Sequence, residues 1–465
     1  MYRLIPSLLI GICAFAQSPD WATVNSETLK HYTAVVQMDT TDPPGNEIKV
    51  VEYVKRVLEA EGIPVTLSAH EPNRPNLIAR LKGNGSKKPL LIMGHTDTVK
   101  VDPSKWTFPP FSAARDQGYI YGRGTLDDKD NMTAGMMTML LLKRLNVPLD
   151  RDVIFVAEAG EEASTVNGIE QLVNNNWSDI DAEVCLAEGG QVDRREGQIR
   201  YAAIQTGEKS PQGAKLVARG LAGHGARPLR SNAIVHLSQA IERIATWEPP
   251  TRFNDTTRVY FEKIAGASSP ELAAVYAGLF DSQKSSAARE YLAEHDPNQY
   301  SMLHTSISPT VISAGYQVNV IPSSAEATLD IRALPDENMP AFFEMMKKVI
   351  NDPAIEIVPN SQNGLHRPIA PSSPIENEAF HVIEAANRKV YNVITVPTMS
   401  PGTTDMSFLR AKGMQCYGIG SMVDAEDAPK GFAQHSDQER ILEEALYKFV
   451  QFNWETVVSL AAATH

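Results

Sequence analysis

The sequence predicts an α/β fold, with a mixed, mostly parallel sheet, helices on both faces and an inserted α+β domain. Apolar runs alternate with helical patterns in the first part of the chain, which is typical of parallel sheets covered on both faces. Near Gly213 the pattern changes to strands of alternating polarity, and the first pattern returns near Ile375. A chain of 465 residues also favours more than one domain.

The first part of the predicted catalytic domain spans 17–211. Leu90–Met93 is apolar throughout, as a strand buried on both faces requires. The predicted elements are helices at 26–37 and 47–61, strands at 65–68, 76–81 and 90–93, a helix at 132–145, a strand at 152–157, a helix at 169–174 and a strand at 184–187.

The inserted domain is predicted over 212–366, and the catalytic domain resumes over 367–465. The β-α-β-β-α-β order of one-sided strands predicts a ferredoxin-like fold, interrupted by a polar helical stretch at 268–295. Its elements are strands at 214–219, 318–321, 326–331 and 354–358 and helices at 232–247 and 339–350; after it come helices at 375–391 and 438–459 and a strand around Cys416.

Charge and cysteine content exclude some classes of protein. The net charge of −13, without a cluster of Lys and Arg, argues against nucleic-acid binding. Cys185 and Cys416 lie in apolar strand-like runs, which favours buried free thiols, although a disulfide remains open.

The N-terminus, 1–16, predicts a signal peptide. Arg3 precedes the apolar run Leu4–Phe15, and Ala14-Phe15-Ala16 fits a cleavage site. The run is shorter than the roughly 20 residues that cross a bilayer, and no later stretch is long enough. We therefore expect a secreted or periplasmic protein without a membrane segment after cleavage.

Polar groups at the ends of apolar strands predict a metal site. His95 and Asp97 form an H-x-D pair at a strand end, where one imidazole nitrogen can bind a metal while Asp97 fixes the tautomer. Asp127 follows a glycine-rich turn, and its two oxygens can bridge two ions. The same turn could be read as a dinucleotide fingerprint, but its third glycine is absent and it does not open the first βαβ unit.

The remaining candidate ligands follow later strands. Glu161 and Glu162 are adjacent carboxylates, so one can bind metal while the other moves a proton. Glu188 ends the run V-C-L-A, and His435 lies in A-Q-H-S-D. Taken singly, each has an ordinary interpretation as polar surface. Together they form a nitrogen and oxygen set that suits two zinc ions about 3.5–4 Å apart.

The motifs G-H-T-D-T-V, Y-G-R-G-T-L-D-D-K, G-E-E, A-E-G-G, G-H-G-A-R-P, N-V-I-P-S-S-A-E-A-T-L-D-I-R, G-T-T-D and H-S-D occur in this order. Their series resembles the co-catalytic zinc exopeptidase and deacylase family, which includes glutamate carboxypeptidase, acetylornithine deacetylase, succinyl-diaminopimelate desuccinylase, aminoacylase and carnosinase-like dipeptidases. The resemblance covers nearly the whole mature chain.

The resemblance implies a role for each motif residue. Two Zn²⁺ ions per subunit, replaceable by Co²⁺ or Mn²⁺, would be held by His95, Asp127, Glu162, Glu188 and His435, with Asp127 bridging. Glu161 would be the general base, with Asp97 behind His95. The resemblance also implies a cis peptide between Asp127 and Asp128. Glu188 stands where several members of the family have Asp, so this position does not fix the substrate.

The inserted domain would be the family's lid, which often forms a homodimer. His224 matches a histidine that stabilises the oxyanion, commonly in the partner's active site. Asn319 and Arg332 match substrate contacts, and Arg332 can grip a terminal carboxylate with two hydrogen bonds. Gly402 and Thr403 match a loop near the substrate.

The sequence therefore predicts a zinc-dependent exopeptidase, of the dipeptidase or carboxypeptidase kind, that uses a metal-activated water. The alternative is an N-acyl-amino-acid deacylase. A non-catalytic binding protein on the same fold and an esterase with the same metal centre remain open. The side-chain preference and the role of the extra lid segment around Ser268–Tyr300 are not determined.

Overall fold

The computed structural model describes residues 18–162, 167–359 and 367–463. The predicted signal peptide, 1–16, lies outside these ranges. Within them, no helix combines the length and the apolar character needed to cross a membrane.

The chain up to residue 211 forms the first part of a large sheet with helices on it. Its elements are α1 (Trp21–Val36), α2 (Ile48–Ala60), β1 (Val65–Ala69), β2 (Pro75–Leu81), β3 (Leu90–His95), β4 (Ala114–Asp116), β5 (Tyr119–Tyr121), α3 (Lys129–Arg144), β6 (Val153–Glu158), α4 (Gly168–Asn175), α5 (Trp177–Ile180), β7 (Val184–Ala187), β8 (Gln191–Arg195), β9 (Gln198–Glu208) and β10 (Ser210–Pro211).

The middle of the chain forms a second sheet and a group of helices. Its elements are β11 (Ala214–Arg219), β12 (Gly223–His224), α6 (Ala233–Thr246), α7 (Asp255–Ala265), α8 (Pro270–Gly278), α9 (Ser285–His295), α10 (Pro297–Ser301), β13 (Ser306–Ala314), β14 (Val320–Ile321), β15 (Ser324–Ala333), α11 (Met339–Ile350) and β16 (Ile355–Pro359).

The last part of the chain returns to the large sheet. Its elements are α12 (Glu378–Tyr391), β17 (Ile394–Ser400), α13 (Met406–Ala411), β18 (Gln415–Gly418), β19 (Met422–Asp424), β20 (Arg440–Leu442) and α14 (Glu443–Ala461).

The large sheet has the order β1-β2-β6-β3-β7-β18-β9-β8-β19, with β17 paired to β9. Its central strands β6, β3, β7 and β18 are parallel, and antiparallel pairs flank them. Leu90 and Ile92 face one core with α3, whereas Leu91 and Met93 face another with α4. This alternation confirms the predicted α/β fold with helices on both faces.

The second sheet has β16-β11-β15-β13 side by side, all antiparallel, with β10 also paired to β15. With α6 and α11 packed on one face, this is the order of a ferredoxin-like β-α-β-β-α-β unit. Strand β13 is an exposed edge that the sequence reasoning did not identify, because Pro309 interrupts its alternation and a bulge follows it.

The helices α7 to α10 form a separate layer. Phe261 and Ile264 of this layer share a core with Val396 and Met399 of β17, so it rests on the large sheet. These helices fall within the insertion predicted over 212–366 and contain the extra segment around Ser268–Tyr300. The layer therefore belongs by packing to the large sheet and by sequence to the insertion.

Candidate metal centre

His95 lies at the carboxyl end of the central strand β3, with its side chain fully buried. Its Nε2 is 2.9 Å from Oδ1 of Asp127. Its Nδ1 is 3.1 Å from the carbonyl oxygen of Asp97 and 3.5 Å from the carboxylate oxygen Oδ1. Asp97 therefore faces Nδ1 with both its carbonyl and its carboxylate, on the opposite side of the ring from Asp127.

The Asp97 carboxylate also organises the loop that follows β6. It accepts hydrogen bonds from the backbone N–H groups of Gly160 at 3.0 Å, Glu161 at 3.2 Å and Glu162 at 3.0 Å. Burial raises the pKa of Asp97, but His95 and these N–H groups outweigh it and hold the pKa below its usual value. Asp97 thus stays ionised and fixes the backbone of both glutamates.

Asp127 is presented by a tight turn that precedes α3. The carboxylate of Glu439, fully buried, accepts hydrogen bonds from the N–H groups of Gly124 at 3.0 Å and Leu126 at 2.7 Å. It also accepts from Arg123 at 2.6 Å. As predicted, the peptide bond between Asp127 and Asp128 is cis.

His435 approaches the same aspartate from the loop before β20. Its Nε2 lies 3.1 Å from Oδ2 of Asp127 and 3.1 Å from Oε1 of Glu162. Hydrogen bonds to Asp127 and Glu162 raise the pKa of His435 to about 10. Its side chain is 54% exposed, so this edge of the centre opens to solvent.

Two overlapping groups of donor atoms meet at His95. In each group all donor atoms lie within 4.8 Å of one another: His95 with Asp127 and Glu162, and His95 with Glu161 and Glu188. Burial, followed by the charge of Glu161, raises the pKa of Glu188 well above its ordinary value. Several carboxylates lie close together here with few positively charged side chains to balance them. Carboxylate oxygens combined with imidazole nitrogens are a donor set that divalent transition metals prefer. The residues present fit two such ions.

Glu161 differs from the other carboxylates because an arginine engages it. Oε1 accepts a hydrogen bond from Arg367 at 2.8 Å, and Arg367 also pairs with Asp405. Burial raises the pKa of Glu161 to about 8, near the value that suits a general base at neutral pH. Because the arginine already neutralises it, Glu161 is the carboxylate of the cluster with least need of a metal.

The predicted lid residues lie outside this cluster. His224 is exposed, and its Nδ1 accepts a hydrogen bond from the N–H of Ala226 at 3.1 Å, within its own turn. Asn319 is also exposed, and its carbonyl accepts from the N–H of Gly225 at 2.8 Å. Arg332 pairs with Asp330 through two hydrogen bonds of 2.7 and 3.0 Å. None of their described contacts reaches the metal centre.

The loop with Gly402 and Thr403 adjoins the centre through its neighbour Asp405. Gly402 donates its N–H to the side chain of Ser400 at 3.0 Å, and the buried hydroxyl of Thr403 has no hydrogen-bond partner among the described residues. Asp405 accepts a hydrogen bond from Asn167 at 2.7 Å as well as pairing with Arg367.

Three residues of the centre were not identified from the sequence: Arg367, Asp405 and Glu439. Arg367 stands alone in L-H-R-P, and its contact with Glu161 joins residues 206 positions apart. Asp405 was visible as the last residue of G-T-T-D, and this motif was the one available signal.

Together, the parallel sheet and its paired His and carboxylate ligands define a metal-dependent hydrolase. The family model described as Peptidase family M20/M25/M40 matches residues 91–457. The chain therefore belongs to the M20/M25/M40 peptidase family, which confirms the predicted resemblance.

Relatives and solved structures agree with this assignment. The N-fatty-acyl-amino acid synthase/hydrolase PM20D1 of Xenopus tropicalis is 29% identical over 78% of this chain and 71% of its own length. In further curated relatives the match covers 64% of the relative. The M20 family metallo-carboxypeptidase Sso-CP2 from Sulfolobus solfataricus superposes with a TM-score of 0.67 at 21% identity, over 93% of this chain and 98% of that one.

A second solved structure names a dinuclear metal site. The YXEP protein of Bacillus subtilis, described as a dinuclear metal binding peptidase from the M20 family, superposes with a TM-score of 0.63 at 16% identity. The alignment covers 94% of this chain and 99% of that chain. At these identities the two solved structures establish the shared fold.

Proposed function

We propose that the protein is a di-zinc exopeptidase that hydrolyses the amide bond of dipeptides or short peptides and releases the C-terminal amino acid. The single observation that carries this proposal is the arrangement of two donor groups around His95, in one of which Glu161 is paired with Arg367. The pairing with Arg367 distinguishes Glu161 from the other carboxylates. We therefore assign proton transfer to Glu161 and metal binding to the others.

Two divalent ions, when bound, polarise the scissile carbonyl and lower the pKa of the attacking water. His95, Asp127, Glu162, Glu188 and His435 would hold them, with Asp127 placed between the two histidines. Glu161 takes the proton of the attacking water and passes it to the leaving nitrogen. Arg367 orients Glu161 from the side, and Asp97 fixes the backbone on which it stands.

Hydrolysis of N-acyl amino acids is the second candidate. The observation in its favour is the 29% identity to a protein named N-fatty-acyl-amino acid synthase/hydrolase. Both reactions break an amide bond next to an amino acid that carries a free carboxylate, so Arg332 would serve either substrate.

A matched substrate panel tests the proposal. Purified protein is assayed with dipeptides, N-acyl amino acids and the corresponding esters, before and after chelation. We expect dipeptide hydrolysis that is lost on chelation and restored by Zn²⁺, Co²⁺ or Mn²⁺. Metal content by plasma emission spectrometry should approach two ions per chain. Less than one ion per chain, or hydrolysis of esters alone, would overturn the proposal.

We further propose a homodimer formed through the five-stranded sheet. Strand β13 is an open edge, and it presents Val311 at 58% and Ile312 at 64% exposure, with Tyr316 beyond it at 81%. An apolar strand edge of this kind favours pairing with a second strand. Light scattering should give twice the chain mass, and Ile312→Lys should give monomers; a monomeric wild type would refute this.

Export with cleavage after Ala16 is proposed from the N-terminal pattern. The full-length chain expressed in a host with an export pathway should yield a mature protein that begins at Gln17. Mass spectrometry of the intact exported protein measures this directly. An uncleaved N-terminus in the cytoplasmic fraction would contradict it.

A further inference from the structure

A cavity of about 310 Å³ opens beside the metal centre. His435, Asp127 and Glu188 are among its lining residues, so the cavity adjoins the metal centre at which the scissile bond would lie. None of its lining residues belongs to the five-stranded sheet, which carries Arg332, the candidate partner of the substrate carboxylate. If Arg332 holds the carboxylate of the substrate, the amino side is the part left to enter this cavity.

The walls of the cavity carry more acidic than basic side chains. Asp127, Asp128, Asp130 and Glu188 line it, and no lysine or arginine does. Asp127 and Glu188 belong to the metal centre. Asp128 is occupied within the fold, because it accepts hydrogen bonds from the N–H of His95 at 3.2 Å and from the side chain of Asn131 at 2.7 Å.

Asp130 is the acid that remains. Asp130 is only 1% exposed, and burial raises its pKa to about 7 although a hydrogen bond with the Ser421 side chain opposes this. Its Oδ1 nevertheless has no hydrogen-bond partner among the described residues. No ion pair of Asp130 occurs in the described part of the chain either. A buried carboxylate oxygen without a partner is costly and therefore calls for an explanation.

The start of α3 supplies part of that explanation. Asp130 lies in the first turn of this 16-residue helix, where the backbone dipole favours a negative charge. The dipole does not provide a hydrogen bond to Oδ1. A donor from outside the fold would complete the site.

The rest of the lining indicates what kind of donor fits. Leu126, Ile419 and Val423 provide apolar wall, and Gln191 and Gln434 provide neutral polar groups. An aliphatic chain that ends in an ammonium group matches this combination, since its stem packs on apolar surface and its head pairs with a carboxylate. A long, wholly apolar acyl chain would leave Oδ1 of Asp130 without a partner.

We propose that this cavity is the subsite for the amino-side residue of the substrate and that Asp130 binds an ammonium group there. This inference rests on the proposed function, and it narrows the substrate class. Peptides with a cationic amino-side residue are preferred over N-acyl amino acids with neutral acyl chains. The ammonium is either the free α-amine of the first residue or the side-chain amine of a basic first residue.

Substrates with a common C-terminal leucine separate these sources. The set is lysyl-leucine, norleucyl-leucine, their two α-N-acetyl derivatives and N-octanoyl-leucine, assayed on the metal-loaded wild type, on Asp130→Asn and on Asp150→Asn. Asp150 is a matched control because it is a buried aspartate outside the cavity, 3.1 Å from Lys87. Circular dichroism and thermal unfolding verify that each variant folds.

We expect kcat/KM for lysyl-leucine to exceed that for N-octanoyl-leucine by about tenfold or more, because a hydrogen bond to a charged group contributes about 1.5–3 kcal/mol. Asp130→Asn should remove most of this advantage through KM, while Asp150→Asn changes it by less than about twofold. If acetylation of the α-amine abolishes the preference, the α-amine is the group that Asp130 binds. If the preference survives acetylation but is lost when norleucine replaces lysine, Asp130 binds the side-chain amine.

A binding measurement gives a readout without turnover. Calorimetry of lysyl-leucine on the metal-loaded Glu161→Gln protein should show weaker binding by about tenfold when Asp130→Asn is added. Equal affinity with and without Asp130→Asn overturns the inference, as does a wild type that prefers N-octanoyl-leucine. Loss of a metal ion from Asp130→Asn also overturns it, because the cavity would then bind a cation of a different kind.

The two proposals fail in distinguishable ways. A wild type that hydrolyses none of these substrates refutes the proposed function. A wild type that hydrolyses them all without regard to charge leaves the proposed function standing and refutes the role of Asp130. The preference of the wild type for lysyl-leucine over glutamyl-leucine provides a further comparison that needs no variant.

Discussion

The two sheets present their candidate site residues in opposite ways. At the large sheet, His95 and Asp127 are buried and 2.9 Å apart, and their loops are fixed by further buried carboxylates. In the second sheet and its turns, His224 and Asn319 are exposed and contact only nearby backbone. The candidate metal ligands are thus already close together within one chain. The candidate substrate contacts would reach the centre only after a movement of the lid or from a second copy of the chain.

Glu161→Gln tests the large-sheet side and should have the largest effect. We expect turnover to fall by about 10²–10⁴-fold, as for the loss of a general base, with the metal content unchanged because Glu161 is not assigned as a ligand. Steady-state kinetics and plasma emission spectrometry measure the two quantities. Glu170→Gln, an exposed glutamate on α4, is the control. Near-normal turnover would refute the role of Glu161.

Arg367→Met should have the next largest effect, because Arg367 holds Glu161 and Asp405 together. We expect kcat to fall by roughly 10–100-fold with little change in KM, since misplacing a catalytic group by about 1 Å has an effect of this size. Arg367→Lys should recover part of the loss by keeping the charge. Arg388→Met, on the exposed side of α12, is the matched control. An unchanged kcat would show that Glu161 is positioned without Arg367.

Arg332→Ala tests the other sheet. If Arg332 grips the substrate carboxylate, KM should rise by about tenfold or more while kcat changes little. A substrate with a C-terminal amide should be almost insensitive to the substitution. Arg219→Ala, on β11 of the same sheet with its side chain 70% exposed, provides the comparison. Equal effects on the acid and the amide would exclude the proposed contact.

Mixing two inactive variants tests whether His224 acts across a dimer. His224→Ala supplies an intact Glu161, and Glu161→Gln supplies an intact His224. Equal mixtures should recover about a quarter of the wild-type activity, because half of the dimers contain one complete site. Recovery is measured after subunit exchange, verified by native mass spectrometry. Absence of recovery despite exchange would indicate that each lid serves its own chain.

Lys209 lies where the two sheets meet and should have the smallest effect. Its ammonium is buried, and its hydrogen-bond acceptors among the described residues are Ser301 and Ser306. Burial lowers its pKa from 10.5 to about 7. Between these values the unfolded chain binds more protons than the folded chain, so stability should rise with pH. The cost of the buried charge is fully present below about pH 7.

Urea unfolding of wild type and Lys209→Met at about pH 6.5 and about pH 9 measures this dependence. The free energy of unfolding of the wild type relative to the variant should increase at the higher pH. Lys100→Met, an exposed lysine, should show no such change. A difference that is constant with pH would mean that Lys209 keeps its proton in the folded protein.

The ligand positions were predictable because their signals are local. An apolar strand followed by a polar motif places His95 or Glu161 at the carboxyl edge of a parallel sheet, whatever the remaining chain does. The lid strands at 214–219 and 326–331 were equally readable from their alternation. Their identification required only short-range periodicity and the order of motifs. The predicted strand at 318–321 was wrong as a member of this sheet, because Val320–Ile321 pairs with β12 and the place beside β15 is taken by β13.

The residues that position the ligands were not predictable in this way. Glu439 holds the turn of Asp127 across more than 300 positions, and Arg367 reaches Glu161 across 206. Neither residue lies in a repeating sequence pattern, because its role depends on a contact with a residue far away in the chain. The sequence predicted that much of the layer α7 to α10 is helical. It did not predict that these helices pack on β17, because an apolar helix face does not indicate which element will cover it.

That packing has a mechanical consequence. Since Val396 and Met399 of β17 contribute to the core of the helical layer, the layer is anchored to the large sheet, and a closing motion of the five-stranded sheet would leave most of it in place. Leu334, which directly follows β15, is the contact of this core with the five-stranded sheet. Among the described residues, the hinge would then include the short connections at 209–213, 247–254 and 302–305. The moving unit would then be the five-stranded sheet with α6 and α11, which is smaller than the whole insertion. Its pivot would lie next to Lys209.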